Sequence, residues 1–264
     1  MMSDMQRQYQ DSTKLMARAM IHVKYSPRGK AWSLVDTGIF KAGDRVLDVG
    51  CGPGRFWVVN AKMLPPDLDV TLADLSPGMV DEAVKNVAAA DGRWTSVAGK
   101  VADVCALPFA DDSFDVVTAM HMLYHAADKD QAVSQIARVL KAGGTLVATT
   151  NGTETMGELS ALSQAVFGTP PFDVSSAAFS LESGETILKR HFRNVEVKTM
   201  IDVLRVTDAQ DVVNYLRSFP PGDEADEPAL RILDKELAMR MQAQGGTFPI
   251  TRIAGYIVAS GQLS

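Results

Sequence analysis

Two cysteines and four histidines in 264 residues leave little material for a metal centre or a disulfide framework. Neither Cys51 nor Cys105 has metal-ligand spacing, and both read as small, reduced, buried residues; no His, Cys, Asp or Glu cluster suggests a metal. Basic charge is also scarce: 26 Lys and Arg stand against 32 Asp and Glu, for a formal charge of −6 and a pI near 5.2. That balance weighs against nucleic acid as a partner and favours a small molecule. The opening MMSDMQRQYQ is polar and lacks an apolar signal core, and no stretch approaches a charge-free spanning helix. A cytoplasmic protein without a membrane span, monomeric or homodimeric, is expected. Repeats and low-complexity tracts are missing too, and the acidic run from Pro220 to Pro228 reads as an exposed loop.

What is present centres on Val46-Leu47-Asp48-Val49-Gly50-Cys51-Gly52-Pro53-Gly54. An apolar, β-branched run ends in three glycines on alternate positions, the pattern of a buried parallel strand breaking into a tight turn before a helix over residues 55–64. The helix amides then face a turn built largely of backbone, a ready binding site. The dinucleotide fingerprint G-x-G-x-x-G is not met, because Arg55 stands where its third glycine belongs, and the Gly-Lys-Ser/Thr ending of a phosphate loop is absent. Carboxylates surround the turn instead: Asp48 before it, Asp74 at the end of the next strand, Asp103 after the one beyond. Three acids repel a pyrophosphate and suit a cation carrying a ribose diol. S-adenosylmethionine satisfies that charge argument. Asp74, about 20 residues past the glycines, occupies the place of a ribose-binding acid. Leu75 and Met79 are candidates to flank the adenine, with Gly50, Cys51, Gly52 and Gly54 forming the cradle.

The order VLDVGCGPG, VTLADLSPGMV, GKVADVCALPFADDSFDVV and RVLKAGGTLVATT resembles the successive motifs of class I S-adenosylmethionine-dependent methyltransferases, over residues 41–150. More narrowly, the chain looks like the small-molecule enzymes related to ubiquinone and menaquinone biosynthesis. The resemblance implies a Rossmann-like α/β fold with a seven-stranded mixed sheet in the order 3-2-1-4-5-7-6. It implies that Asp103 accepts from the adenine amino group while the Val104 backbone addresses the ring. It also implies a lid formed by residues 1–40 in front of a methyltransferase domain at 41–264, with substrate-covering insertions at 151–182 and 207–246.

Ligands on open α/β sheets gather at the carboxyl ends of the strands. After the strand Phe114 to Met120 that rule singles out Met120, His121, Tyr124 and His125, with His125 and His121 as candidate bases and Tyr124 as donor or wall; one of the two histidines is expected to point into the protein. The loop between two N-terminal helices supplies His22, Tyr25 and Arg28, Tyr25 also as a cofactor contact, and Asn151 and Tyr215 complete the expected substrate wall. Thr118-Ala119-Met120-His121 stands where exocyclic-amine methyltransferases of nucleic acids carry Asn/Asp-Pro-Pro-Tyr/Phe, which argues against that chemistry. An RNA or protein methyltransferase and a non-catalytic cofactor-binding protein remain as alternatives.

The remaining periodicity predicts helices over 12–21, 30–40, 129–140, 156–167 and from Ser183 to Leu188. Gly143-Gly144 reads as a stop for the third of these, and Pro170-Pro171 as a break. Thr207 with Gln210 reads as a capping box, followed by a helix from Pro228 to Gly245-Gly246. The alternation of Val195, Val197, Thr199, Ile201 and Val203 predicts a single buried strand face. A final strand spans 248–260, with Gly255 at a bulge or close approach.

Overall fold

The computed structural model describes residues 13–26, 38–90, 92–169 and 178–263. In chain order the elements are α1 (Thr13–Tyr25), β1 (Arg45–Val49), α2 (Arg55–Asn60), β2 (Leu68–Asp74), α3 (Pro77–Ala89), β3 (Trp94–Val101), β4 (Phe114–Met120), α4 (Lys129–Val139), β5 (Leu140–Asn151), α5 (Gly157–Phe167), α6 (Leu181–Leu188), β6 (Phe192–Val206), α7 (Ala209–Leu216), α8 (Glu227–Ala243) and β7 (Phe248–Gln262). The strands form one sheet in the expected order β3-β2-β1-β4-β5-β7-β6. β1 to β5 run parallel, and β7 lies antiparallel to both β5 and β6. Arg28, most of the second N-terminal helix and the Pro170-Pro171 break lie outside the described residues.

The central parallel strands β1 and β4 are buried on both faces because their side chains alternate between two helix layers, whereas β3 at the edge is largely exposed. Val46, Val70, Leu72 and Val116 pack with Trp57 of α2 and with Ala83 and Val87 of α3. Leu47, Val117, Ala119 and Leu146 face the other way, toward Val133, Ile136 and Val139 of α4 and Leu181 and Leu188 of α6.

β5 ends at Asn151, opposite Ala254, but β6 and β7 stay paired from Ile201 and Ile253 out to Val206 and Phe248. These six further pairs overhang the carboxyl edge of the sheet by about 20 Å at the usual strand rise. The overhang has a core of its own. Leu204, Val206, Phe248 and Ile250 are covered by Ile21 of α1, Leu159 and Leu162 of α5, Val212 and Leu216 of α7, and Leu233 and Leu237 of α8.

That second layer corrects the expected face of β6. Val195 and Val197 do pack under α6, but Ile201 is 64% exposed whereas Asp202 is only 8% exposed. The register continues without a slip, so the strand itself is regular. What changes is the covering layer, which moves to the opposite face where the overhang begins. Gly143-Gly144 is not a helix stop: α4 passes into β5 at Leu140, and the glycines lie in a bulge between the pairs Phe114–Leu140 and Val116–Thr145. There Lys141 Nζ reaches Asp115 at 2.8 Å.

Helix starts shift by a few residues for reasons of capping. Ser180 caps α6 and Ser183 is its reciprocal partner; Asp208, not Thr207, caps α7. The helix after the glycine turn stops at Asn60. Ser76 caps α3 with Pro77 following, as the sequence requires. Gly255 is a close approach within a regular register, since a Cβ there would lie 2.2 Å from Lys198 O.

Candidate active site

The turn after β1 holds its shape through backbone that only glycine adopts freely: Gly50, Gly52 and Gly54 have φ of 63°, 51° and 76°. At Gly50 a Cβ would stand 2.6 Å from the Met122 side chain, and at Gly54 it would stand 2.7 Å from Val87 of α3. The first contact brings the loop after β4 against the turn, and the second seats the turn on the next helix. Asp74, at the carboxyl end of β2, is fixed by two amides: Gly52 N–H donates to Oδ2 at 3.0 Å and Ser76 N–H to Oδ1 at 2.9 Å. Each oxygen keeps accepting capacity. Beside it Leu75 is 56% exposed, an apolar side chain next to a rigid carboxylate. Asp103 accepts from Cys105 N–H at 2.8 Å, and Val104 beside it is buried.

Two expected cofactor contacts are core residues. Asp48 is 1% exposed; its carboxylate accepts from Trp57 Nε1 at 2.8 Å and from Thr118 Oγ1 at 2.7 Å, joining β1 to α2 and β4. Burial lifts its pKa to about 7 and the charge of Asp74 adds to that, against the two hydrogen bonds that favour the ionised form. Met79 is 2% exposed on the inner face of α3 and is not available to an adenine ring. Cys51 is buried as expected, with its thiol pushed up by burial and by the neighbouring Asp48 and Asp74 charges.

At the end of β4 the chain turns sharply. His121 adopts φ 53°, unusual for a residue with a Cβ, and its N–H is shared between Thr149 O at 3.1 Å and Thr149 Oγ1 at 2.9 Å. The same hydroxyl lies 3.7 Å from Met120 Sδ. His121 is exposed and His125 is the half-buried one, its ring 4.5 Å from that of Tyr124. Across from this loop the end of α1 presents His22. Its pKa is lowered to about 4 by burial, then by the charges of Arg252 and His121, so His22, His121 and Arg252 converge.

Tyr25 and Tyr215 do not stand where they were expected. The Tyr25 hydroxyl donates to Asp211 of α7, and Lys24 reaches the same carboxylate at 2.6 Å, so these side chains fasten α1 to α7. Tyr215 is 7% exposed in the overhang core, against Phe219. Asn151 is half-buried at the last position of β5.

Arg252 was not singled out from the sequence. It faces Asp202 across the β6–β7 register, forms an ion pair with it, and donates to Ser26 Oγ at 3.2 Å. No local signal marks this pair: the partners lie on different strands, and only the antiparallel register brings them together.

Residues 47–148 match the family model described as "Methyltransferase domain". This segment and the seven-stranded order give the chain the Rossmann-like fold of class I S-adenosylmethionine-dependent methyltransferases. Over 228 residues, 84% of this chain and 75% of the other, it is 29% identical to the methyltransferase GfsG of Streptomyces halstedii. It is 34% identical to the demethylmenaquinone methyltransferase of Symbiobacterium thermophilum over 108 residues, 41% of this chain and only 43% of that enzyme. In fold it is similar to phosphoethanolamine N-methyltransferase 2 of Haemonchus contortus, with a TM-score of 0.58 at 23% identity over 98% of this chain and 59% of the other. Among the described residues no helix is long and apolar enough to cross a membrane, and no group of three or more His, Cys, Asp and Glu is gathered to hold a metal.

Proposed function

We propose that the protein transfers a methyl group from S-adenosylmethionine to an acceptor atom of a small metabolite. The observation that carries this reading is Asp74, held by the Gly52 and Ser76 amides at the mouth of the glycine turn beside the exposed Leu75. A fixed carboxylate matches a ribose diol, and the apolar neighbour matches the face of an adenine. The family match over residues 47–148 supports the same assignment. Asp103 and the Val104 backbone then serve the edge of the ring, and Gly50 to Gly54 with Met120 line the remainder. Asp48 contributes at one remove, by fixing β1 to α2 and β4.

When bound, the cofactor supplies a methyl group on a sulfonium, open to in-line displacement. The protein's share is chiefly to align the acceptor and exclude water. Tyr124 and His125 form a wall on the acceptor side, and His125 is the residue proposed to take a proton where the acceptor must lose one. His121 and His22 bound the same space from opposite elements. Residues 1–40 act as a lid, and the segments 151–182 and 207–246 cover the acceptor.

Calorimetry with S-adenosylmethionine, S-adenosylhomocysteine and NAD tests the cofactor. Micromolar binding of the first two without NAD is expected, and no binding of either overturns the reading. Incubating the protein with a metabolite extract and methyl-labelled cofactor tests the acceptor. Label in a small molecule is expected; label confined to RNA or protein assigns the enzyme to a macromolecular substrate. Binding with no labelled product in any fraction assigns a non-catalytic role.

A further inference from the structure

Two buried nitrogens near the end of α1 lack any hydrogen-bond partner among the described residues: His22 Nδ1 and Arg252 Nε. An unpaired buried polar group destabilises a fold, and native structures keep few of them. The two belong to one place. Arg252 Nη2 donates to Ser26 Oγ at 3.2 Å, and Ser26 N–H donates to the His22 carbonyl at 3.1 Å. Arg252 lies just past Ala254, which pairs with Asn151 at the end of β5, so the place is where the overhang leaves the carboxyl edge of the sheet.

The local charge narrows what fits. The Arg252 and Asp202 side chains are 12% and 6% exposed, and they already neutralise one another. His22 is neutral at physiological pH. Among the buried atoms there, one N–H donor and one ring nitrogen of a neutral imidazole are without a partner. A carboxylate or phosphate would bring a charge that nothing there is left to balance, and an ammonium would meet the guanidinium. A hydroxyl accepts from Arg252 Nε and donates to His22 Nδ1 through a single oxygen.

We infer that Arg252 and His22 together hold a hydroxyl group of the methyl acceptor, making them the specificity-determining pair for an uncharged, hydroxyl-bearing small molecule. This rests on the methyltransferase reading of the site. A compound lacking the hydroxyl leaves both nitrogens unpaired, which is how a polar site rejects a deoxy analogue far more strongly than an apolar pocket rejects a missing methylene.

The test uses three probes of similar size, phenol, toluene and benzoate, titrated into the full chain saturated with S-adenosylhomocysteine, with ¹⁵N NMR of the arginine Nε–H and histidine ring signals. Phenol is expected to bind at least tenfold more tightly than toluene and than benzoate, and to move the Arg252 and His22 resonances. Arg252→Lys keeps a cation for Asp202 but lacks the Nε–H, and His22→Phe keeps the bulk; each should abolish the preference while leaving S-adenosylhomocysteine affinity unchanged. Equal binding of phenol and toluene by the unmodified protein, tighter binding of benzoate, or a preference that survives both substitutions overturns the inference. Failure to bind S-adenosylhomocysteine at all would count instead against the cofactor reading.

Discussion

The glycine-turn half of the molecule and the β6–β7 overhang solve the same problem, how to place polar groups at the edge of an apolar sheet, by opposite means. In the first, most polar contacts are short in sequence or pass through backbone: Asp74 is bound by Ser76 and Gly52, Asp103 by Cys105, and Asp48 by Trp57, although Thr118 of β4 also donates to Asp48. In the second, Asp202 meets Arg252, Tyr25 meets Asp211, and Arg18 meets Ser218 by hydrogen bonds at 3.3 and 2.8 Å, all between elements far apart in the chain. A site of the first kind is formed as soon as its strand and turn form. One of the second kind exists only when the whole cap has docked.

The largest expected effect comes from attacking the local half. Gly50→Val forces a branched residue into φ 63° and against Met122 at 2.6 Å, so backbone strain and overpacking add. Stability should fall by about 3 kcal/mol or more in urea denaturation, and S-adenosylmethionine binding should disappear from calorimetry. Leu204→Ala, in the fully buried core of the overhang, should cost about 2–4 kcal/mol of stability. If the halves are separate as drawn, cofactor affinity measured below the unfolding transition stays within about twofold of the parent protein's. A tenfold loss would mean that the overhang core shapes the turn.

Asp74→Ala sits next in size. Losing hydrogen bonds to a charged acceptor should weaken S-adenosylmethionine by about 1–3 kcal/mol, roughly fivefold to 150-fold, with little change in binding of phenol at the overhang. Unchanged cofactor affinity removes Asp74 from the ribose role.

The same division explains what the sequence made legible. The three positive-φ glycines, the Ser76 cap and the place of Asp74 follow from motifs read within a few residues, while the strand order follows from the family resemblance that the ordered motifs carry. Asp48 and Met79 were misjudged because being next to a motif says nothing about which way a side chain points: β1 is buried on both faces, and Met79 falls on the inner stripe of α3. The burial of Asp202 and the choice of Arg252 depend on which layer covers each end of β6, and alternation along one strand carries no information about that.

Proton linkage gives the finest test, because Asp48 in one half and His22 in the other respond to pH with opposite sign. Asp48 keeps its proton up to about pH 7 when folded, against 3.8 for an ordinary carboxyl. The folded state therefore binds the proton more tightly than the unfolded one, and this group's contribution to stability falls as pH rises from about 4 to 7. His22 titrates at about 4 when folded, against 6.5. There the unfolded state binds the proton more tightly, so the contribution rises with pH between about 4 and 6.5 and is constant above. Each slope is at most about 1.4 kcal/mol per pH unit, and in their shared window they oppose one another in the parent protein. Urea denaturation at pH 4.5, 5.5, 6.5 and 7.5 separates them. Relative to the parent, Asp48→Asn should gain stability as pH rises toward 7, its amide still able to bond both Trp57 and Thr118. His22→Phe should instead lose its relative advantage as pH rises toward 6.5. Differences of the same sign in both variants would show that the two halves do not hold their buried groups in opposite protonation states.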